Sequence, residues 1–260
     1  MMIFPQFDPV LLQIGPVAIR WYGLMYTLTF VLGWPLLKWQ AKRQGLPVTS
    51  EQLADLTMGV LLGVILGGRL GYIFFYHFEY YITHPMAMFR VWEGGMSFHG
   101  GLLGVLVACF YFARKNGMEF LVLGDLLAVV TPLGLLLGRI GNFINGELWG
   151  RPTDLPWGMV FPGAGPEPRH PSQLYEAGLE GVVLLAVMMA VGGKRRGAGW
   201  LGGLFLTGYG LARLLVELVR EPDAHLGLMA GGLTMGQMLS FPMVFIGLAL
   251  IVRARRSSLV

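Results

Sequence analysis

The sequence predicts an all-α, polytopic membrane protein with seven transmembrane helices, its N-terminus outside and its C-terminus in the cytoplasm. Three observations lead to this prediction. Of the 260 residues, 55% are hydrophobic and only 13% are charged, about half the charged fraction of a soluble domain. Long apolar runs recur along the chain, and each approaches the roughly 20 residues that a membrane-spanning helix needs. Basic residues gather in alternate connections between these runs.

The first twenty residues predict a non-helical lead-in, because two prolines follow Phe4 and proline breaks helices. A basic start and a small-residue cleavage site are missing, so we do not expect a removable signal peptide here. Seven apolar runs then predict spans at 22–40, 56–76, 98–113, 121–145, 174–192, 200–219 and 233–252. We expect a single transmembrane domain over residues 1–260, with a short outer head region at 146–173.

The distribution of the 19 basic residues predicts the orientation. Ten lie in alternate connections or in the C-terminal tail: Lys42, Arg43, Arg114, Lys115, Lys194, Arg195, Arg196, Arg253, Arg255 and Arg256. The opposite flanks hold five: Arg20, Arg90, Arg151, Arg169 and Arg220. Because cytoplasmic loops carry the excess of Lys and Arg, the C-terminus is expected inside and, with seven spans, the N-terminus outside.

The remaining four basic residues lie within predicted spans. Lys38 is near a cytoplasmic end, where its amine can reach the interface. Arg69 and Arg213 are about 20 Å, and Arg139 about 27 Å, above the inner ends of their spans. Charged groups at such depths are costly and mark functional sites. We therefore expect a polar site in the outer half of the membrane.

Other polar side chains fall at the same predicted level. They are Tyr22, Tyr26, His99, Asn142, Asn145, Glu147, His170, Gln173, Tyr175, Glu176, Tyr209 and Glu217. Structural roles remain open for several of them. Arg213 and Glu217 have the spacing of an ion pair within one helix. The asparagines can join helices, and the two tyrosines near residue 22 can belong to an aromatic belt. Arg69 can be a structural partner for a glutamate or for backbone carbonyls, and His99 can lie at the interface.

Arginines in a low-dielectric pocket form bidentate contacts with phosphate. The residues alone thus predict a site for a phosphate-bearing amphiphile, most simply an anionic phospholipid. The histidines are scattered and Cys109 is the one cysteine, so we expect no metal. We also expect no cofactor and no nucleic-acid partner.

Several long phrases, in one order along the chain, resemble those of the bacterial prolipoprotein diacylglyceryl transferase family. They are RWYGLMY at 20–26, GGRLGY at 67–72, GGMSFHGG at 94–101, GRIGNFINGELWG at 138–150, RHPSQLYE at 169–176, GYG at 208–210 followed by Arg213 and Glu217, and REPD at 220–223. The resemblance covers essentially the whole length of the chain.

The resemblance implies a reaction. Phosphatidylglycerol gives its diacylglyceryl group to the thiol of the lipobox cysteine of a preprolipoprotein, a thioether forms and glycerol 1-phosphate leaves. It also implies a multi-pass protein of the bacterial inner membrane with its active site toward the periplasmic face. The expected catalytic residues are His99, Arg139 and Arg213. The expected substrate-binding residues are Tyr22, Tyr26, Arg69, Asn142, Asn145, Glu147, Gly150, His170, Tyr209 and Glu217.

Within this hypothesis, Arg139 and Arg213 stabilise the phosphate, with Glu147 and Glu217 as their ion-pair partners. Neutral imidazole accepts protons near pH 7, which makes His99 the candidate base for the thiol. Two other functions remain open. Buried arginines in glycine-interrupted helices also fit a transporter or flippase for an anionic lipid. An intramembrane protease is the other, although Ser97 and His99 are too close in sequence to predict a dyad.

Overall fold

The computed structural model describes residues 2–15, 17–91, 94–193, 196–222, 227 and 229–257. Lys194, Arg195 and Asp223, used above, lie outside these residues. In chain order the elements are β1 (Met2–Ile3), β2 (Val10–Ile14), β3 (Val17–Arg20), α1 (Trp21–Arg43), α2 (Ser50–Tyr76), α3 (Phe78–Thr83), α4 (Phe98–Lys115), α5 (Phe120–Ile144), β4 (Met159–Val160), α6 (Ser172–Glu176), α7 (Leu184–Val191), α8 (Trp200–Val216) and α9 (Met235–Ser257). A π-helical turn, Ala177–Val183, joins α6 to α7, and short 3-10 turns lie at Pro85–Phe89 and Ala230–Gly232.

The described chain falls into two compact units. One comprises residues 46–123, and the other comprises 1–45 and 124–260. In the first, α2 begins with a capping box, in which Thr49 and Gln52 bond to each other's backbone N–H groups. Ser97 caps α4 by accepting from the Gly100 N–H. A Cβ added to Gly71 would lie 2.7 Å from Gly100 Cα, so glycine is required where α2 and α4 touch.

In the described residues, the larger unit contains the N-terminal strands, β4, α1, α5 from residue 124 onward, and α6 to α9. Strand β1 pairs in parallel with β4, and β2 pairs antiparallel with β3. A buried core joins α5, α7, α8 and α9 through Ala128, Val129, Leu184, Met188, Trp200, Leu201 and Ala254. The start of α8 is capped from α5, because Asp125 accepts from Gly199 N–H at 2.8 Å and Gly202 N–H at 2.7 Å.

The predicted helical character is confirmed, and a helix occupies each of the seven predicted positions. Among the described residues, four helices are long and apolar enough to cross a membrane: Ser50–Tyr76, Phe120–Ile144, Ser172–Val191 and Met235–Arg256. The apolar helix Trp200–Val216 is shorter. Seven spans and their orientation therefore stay predictions. The lead-in is non-helical as expected, but it forms strands, which the sequence pattern did not indicate.

Candidate functional site

The helix Ser172–Val191 carries two carboxylates that are completely buried. Glu176 and Glu180 each have 0% of their surface exposed. They are four residues apart, which places them on one side of the helix. The π-helical turn Ala177–Val183 includes Glu180, and such turns recur at functional sites. A pair of carboxylates buried in an apolar helix requires nearby cations.

Arg139, on α5, reaches both of these carboxylates. Its Nε lies 2.8 Å from Glu176 Oε2, and its Nη2 lies 3.4 Å from Glu180 Oε2. Only the longer contact has hydrogen-bond geometry. Arg139 is thus held by charge on both carboxylates, with 17% of its side chain still exposed.

Arg213, on α8, links the buried pair to a third carboxylate. Its Nη1 lies 2.8 Å from Glu176 Oε1 and 3.9 Å from Glu180 Oε1. Its Nη2 contacts Glu217 Oε1, one helical turn further along. Because two nitrogens of one planar guanidinium bind separate partners, the orientation of the guanidinium is fixed.

Arg220 and Thr234 complete this set of contacts. Arg220 Nη1 lies 2.8 Å from Glu176 Oε1, and its Nε lies 3.8 Å from Glu217 Oε1. Thr234 donates to Glu217 Oε2 at 2.5 Å. We call the three arginines and three glutamates of these contacts the ion network. Its formal charges cancel, which is the condition for holding ionised groups away from water.

A cavity opens beside the ion network, at the end of α8. Its volume is ≈ 260 Å³, including open space at its mouth, and Arg213, Glu217, Arg220 and Thr234 are among its lining residues. Two of the network's arginines therefore face open space as well as carboxylates. Across the described residues, no group of three or more His, Cys, Asp or Glu side chains is arranged to hold a metal ion.

A second polar cluster follows the end of α5. Glu147 Oε1 accepts from Asn142 at 2.9 Å and from Asn145 at 3.2 Å. Buried Gln173 donates to the backbone carbonyl of Glu147 at 2.6 Å. The predicted pairing of Glu147 with an arginine is replaced by these amide contacts, whereas the predicted pair of Glu217 with Arg213 is present.

Tyr22 connects the two clusters. It interacts electrostatically with Glu147 and with Arg139. Its ring centroid lies 5.1 Å from that of Tyr26. The predicted residue Tyr209 stacks on Phe205, at 5.9 Å between ring centroids, and it interacts electrostatically with Glu180, Arg139 and Arg213.

The loop after α5 positions Gly150 and His170 against each other. Gly150 N–H donates to the His170 carbonyl at 2.9 Å. A Cβ on Gly150 would lie 2.7 Å from His170 Cβ, so no other residue fits there without a shift. His170 Nδ1 lies 3.2 Å from the Tyr175 hydroxyl, which accepts from Trp157 Nε1 at 2.7 Å. Partial burial lowers the pKa of His170 below its usual value, which favours the neutral ring at pH 7.

Two predicted residues belong to the smaller unit. Arg69 is bound by backbone carbonyls: Nε by Met88 at 3.0 Å, Nη2 by Ala87 at 2.6 Å, and Nη1 by Gly94 at 2.5 Å and Gly95 at 3.3 Å. Its guanidinium also lies 5.2 Å from the Tyr81 ring centroid. These contacts match the structural alternative left open for Arg69. His99 is exposed and follows the Ser97 cap by two residues.

The structure thus brings together Tyr22, Arg139, Asn142, Asn145, Glu147, Tyr209, Arg213 and Glu217. It adds residues to which sequence analysis gave no role. Glu176 was noted only as a polar residue at the right level, Arg220 only as a flanking charge, and Glu180 and Thr234 not at all. A usable signal existed for Glu180, since a carboxylate inside an apolar span is rare enough to indicate a buried partner.

Comparison with known proteins gives one consistent result. The family model described as prolipoprotein diacylglyceryl transferase matches residues 9–253. A phosphatidylglycerol–prolipoprotein diacylglyceryl transferase of Geobacter sulfurreducens is 56% identical over 255 residues, covering 98% of each chain. The protein of the same name from Bordetella avium is 57% identical over 261 residues, covering 99% of each chain. That of Vibrio cholerae serotype O1 is 54% identical over 249 residues, covering 96% of this chain and 92% of its own.

Proposed function

The chain belongs to the prolipoprotein diacylglyceryl transferase family, and from that premise we propose that it transfers the diacylglyceryl group of phosphatidylglycerol to the lipobox cysteine of preprolipoproteins. The cysteine sulfur forms a thioether with the glyceryl carbon, and glycerol 1-phosphate leaves. This is the first step of bacterial lipoprotein maturation. Among the observations on this chain, the ion network buried between apolar helices carries the proposal, since it supplies fixed cations where a lipid phosphate can reach them.

Arg139 and Arg213 are proposed to bind the phosphate. Each keeps part of its side chain exposed, 17% and 14% respectively. Their carboxylate partners fix their orientation before the lipid arrives, so little reorganisation is needed as negative charge grows on the leaving phosphate. Glu217 fulfils this role for Arg213 through the contact described above.

Asn142, Asn145, Glu147, Tyr22 and Tyr26 are proposed to position the lipid or the peptide. The shared hydrogen bonds of Glu147 with both asparagines support a common role for this cluster. Gly150, His170, Tyr209 and Arg69 complete the proposed binding set. For Arg69 the contacts with four backbone carbonyls support an indirect role, in which it shapes the loop before α4.

The thiol must lose its proton before sulfur attacks, because a free cysteine has a pKa of about 8.5 and the thiolate is the nucleophile. His99 is the proposed proton acceptor, and its exposure at the start of α4 leaves it reachable. Sulfur then bonds to the glyceryl carbon, the bond from that carbon to phosphate oxygen breaks, and the electron pair stays on the phosphate. His99→Gln is expected to slow transfer most at low pH, because little thiolate exists there without a base.

The protein is proposed to cross the bacterial inner membrane seven times, with its N-terminus and active site on the periplasmic side. The four helices that meet the length and composition of a span and the uneven distribution of basic residues support this arrangement. The region 146–173 is then a short outer head of a single transmembrane domain.

The deciding experiment mixes the purified protein with phosphatidylglycerol and a peptide containing a lipobox cysteine. The expected result is a peptide mass increased by one diacylglyceryl group, together with free glycerol phosphate. A peptide with serine in place of that cysteine is the matched control. Movement of intact phosphatidylglycerol across the bilayer without a modified peptide would contradict the transferase and favour a lipid transporter.

A further inference from the structure

We infer that Glu180 takes up one proton when the phosphate of the donor lipid binds beside Arg139 and Arg213. Binding of the anionic lipid is then coupled to protonation of a carboxylate inside the ion network. The inference rests on the proposed function, which brings a phosphodiester to these arginines, and it assigns a role to a residue that the proposed reaction does not otherwise use.

The contacts of Glu180 are the weakest among the three carboxylates of the ion network. Its Oε2 accepts one hydrogen bond of 3.4 Å from Arg139. Its Oε1 is buried without a hydrogen-bond partner among the described residues, and the nearest cationic nitrogen, on Arg213, lies 3.9 Å away. A buried oxygen without a hydrogen bond raises the free energy of the charged form.

The other two carboxylates are held more firmly. Glu176 has three arginine nitrogens at 2.8 Å, one from each arginine. Its Oε2, like Oε1 of Glu180, has no hydrogen-bond partner among the described residues, so the number of short ion contacts is what distinguishes Glu176 from Glu180. Glu217 pairs with Arg213 and accepts from Thr234 at 2.5 Å. Protonating Glu176 would weaken three short ion contacts, whereas protonating Glu180 weakens one long hydrogen bond to Arg139 and one ion contact of 3.9 Å to Arg213. Glu180 is therefore the least costly site for a proton.

The charge balance supplies the reason for protonation. The three arginines and three glutamates of these contacts carry equal and opposite formal charges, and a phosphodiester adds one negative charge beside them. An uncompensated charge held away from water costs several kcal/mol. One proton from solvent, bonded to a Glu180 oxygen, restores the balance. It also releases Arg139 Nη2 to donate to a phosphate oxygen.

The remaining groups around Glu180 do not take up this proton. The guanidinium groups of Arg139 on α5 and Arg213 on α8 have no acceptor atom for a proton. Tyr209 on α8 is already a neutral hydroxyl, and Glu176 on the same helix is held by three arginines. The proton linkage is thus expected to disappear when Glu180 alone is changed.

The test measures the affinity of the full chain, in detergent, for dioctanoyl phosphatidylglycerol without a peptide acceptor, so that no turnover occurs. The wild-type Kd is expected to rise by up to about tenfold per pH unit across the range in which Glu180 titrates. Glu180→Gln, which imitates the protonated carboxyl, should bind at high pH as tightly as wild type binds at low pH. Glu180→Asp should keep the pH dependence, and Glu167→Gln, on the exposed outer loop, should match wild type.

Equal pH dependence in wild type and Glu180→Gln, or a wild-type Kd that does not change with pH, would overturn the inference. The transfer assay separates this failure from failure of the proposed function. If the peptide is modified but wild type and Glu180→Gln show the same pH dependence of Kd, only the proton linkage is rejected. If the pH dependence of Kd disappears in Glu180→Gln but no peptide is modified, the linkage is supported and only the transferase is rejected.

Discussion

Arg213 shows why residue identity matters more than charge at this site. Two nitrogens of its guanidinium contact two different glutamates, one on its own helix and one on the helix Ser172–Val191. Lysine offers a single nitrogen and cannot fix both partners in one plane. Alanine would remove one of the three cations that balance the buried carboxylates, and breaking a buried pair in this way costs about 3–5 kcal/mol, so loss of activity in that variant would not separate folding from chemistry.

Arg213→Lys is therefore the informative substitution. The charge is kept, so the protein should remain folded, while transfer should fall about tenfold or more, equivalent to about 1.4 kcal/mol in the barrier. The measurement is kcat in the lipobox-peptide assay, with Tm recorded in the same detergent. Arg114→Lys, at the end of α4, is the matched control and should retain wild-type turnover. Near-normal kcat in Arg213→Lys would remove the guanidinium geometry from the mechanism.

At the scale of elements, the carboxylate of Asp125 on α5 caps the N-terminal end of α8. The residue before α8, Gly199, has φ +90° and offers no side-chain cap. Asp125 supplies the missing acceptor through both of its oxygens. Since α8 carries Tyr209 and Arg213 and is followed directly by Glu217, this cap holds one end of the helix whose other end lies at the ion network.

Asp125→Ala is expected to lower stability by about 1–2 kcal/mol, the usual cost of losing a helix N-cap. Asp125→Asn, which keeps one acceptor oxygen, should fall between Ala and wild type. Thermal unfolding in detergent measures the effect. Asp154→Ala, at an exposed loop position, removes the same charge without removing a cap. An Asp125→Ala midpoint equal to that of Asp154→Ala would contradict the capping role.

Glycines on α2 and α4 lie where these two helices touch. The glycine-rich phrases around Arg69 and His99 contribute to the family resemblance. In the structure, Gly71 and Gly100 meet so closely that a Cβ on either one would overlap the other helix. Small residues at such positions let backbones approach, which is how helices pack where burial from water cannot drive their association.

At the scale of the whole molecule, the orientation predicted from charge is open to a direct test. Lys42 lies in the last turn of α1, on the expected cytoplasmic side, and Asp154 lies in the expected outer head. Both positions are exposed. Cysteines placed there separately, in a Cys109→Ala background, should react with an impermeant maleimide from opposite sides of intact inner membranes. Buried Cys109 is removed so that each variant has one thiol. Labelling of both from the same side would contradict the seven-span arrangement.

Composition and periodicity determined the helical, membrane-type architecture, because the apolar length needed to cross a bilayer is visible in any sequence that has it. The same logic found Arg139 and Arg213, since charges inside apolar runs are conspicuous. The ordered phrases along the chain determined the family. None of these three conclusions depends on knowing which distant residues are in contact.

Only the tertiary structure decided which carboxylates serve which arginines. Glu147 was expected beside an arginine and lies with two amides, whereas Glu176 binds Arg139, Arg213 and Arg220 from three other places in the chain. It also showed that backbone carbonyls occupy Arg69. Such pairings depend on how each helix is rotated about its own axis and on which helices it contacts. A linear pattern gives the face of one helix but not the partner that this face meets.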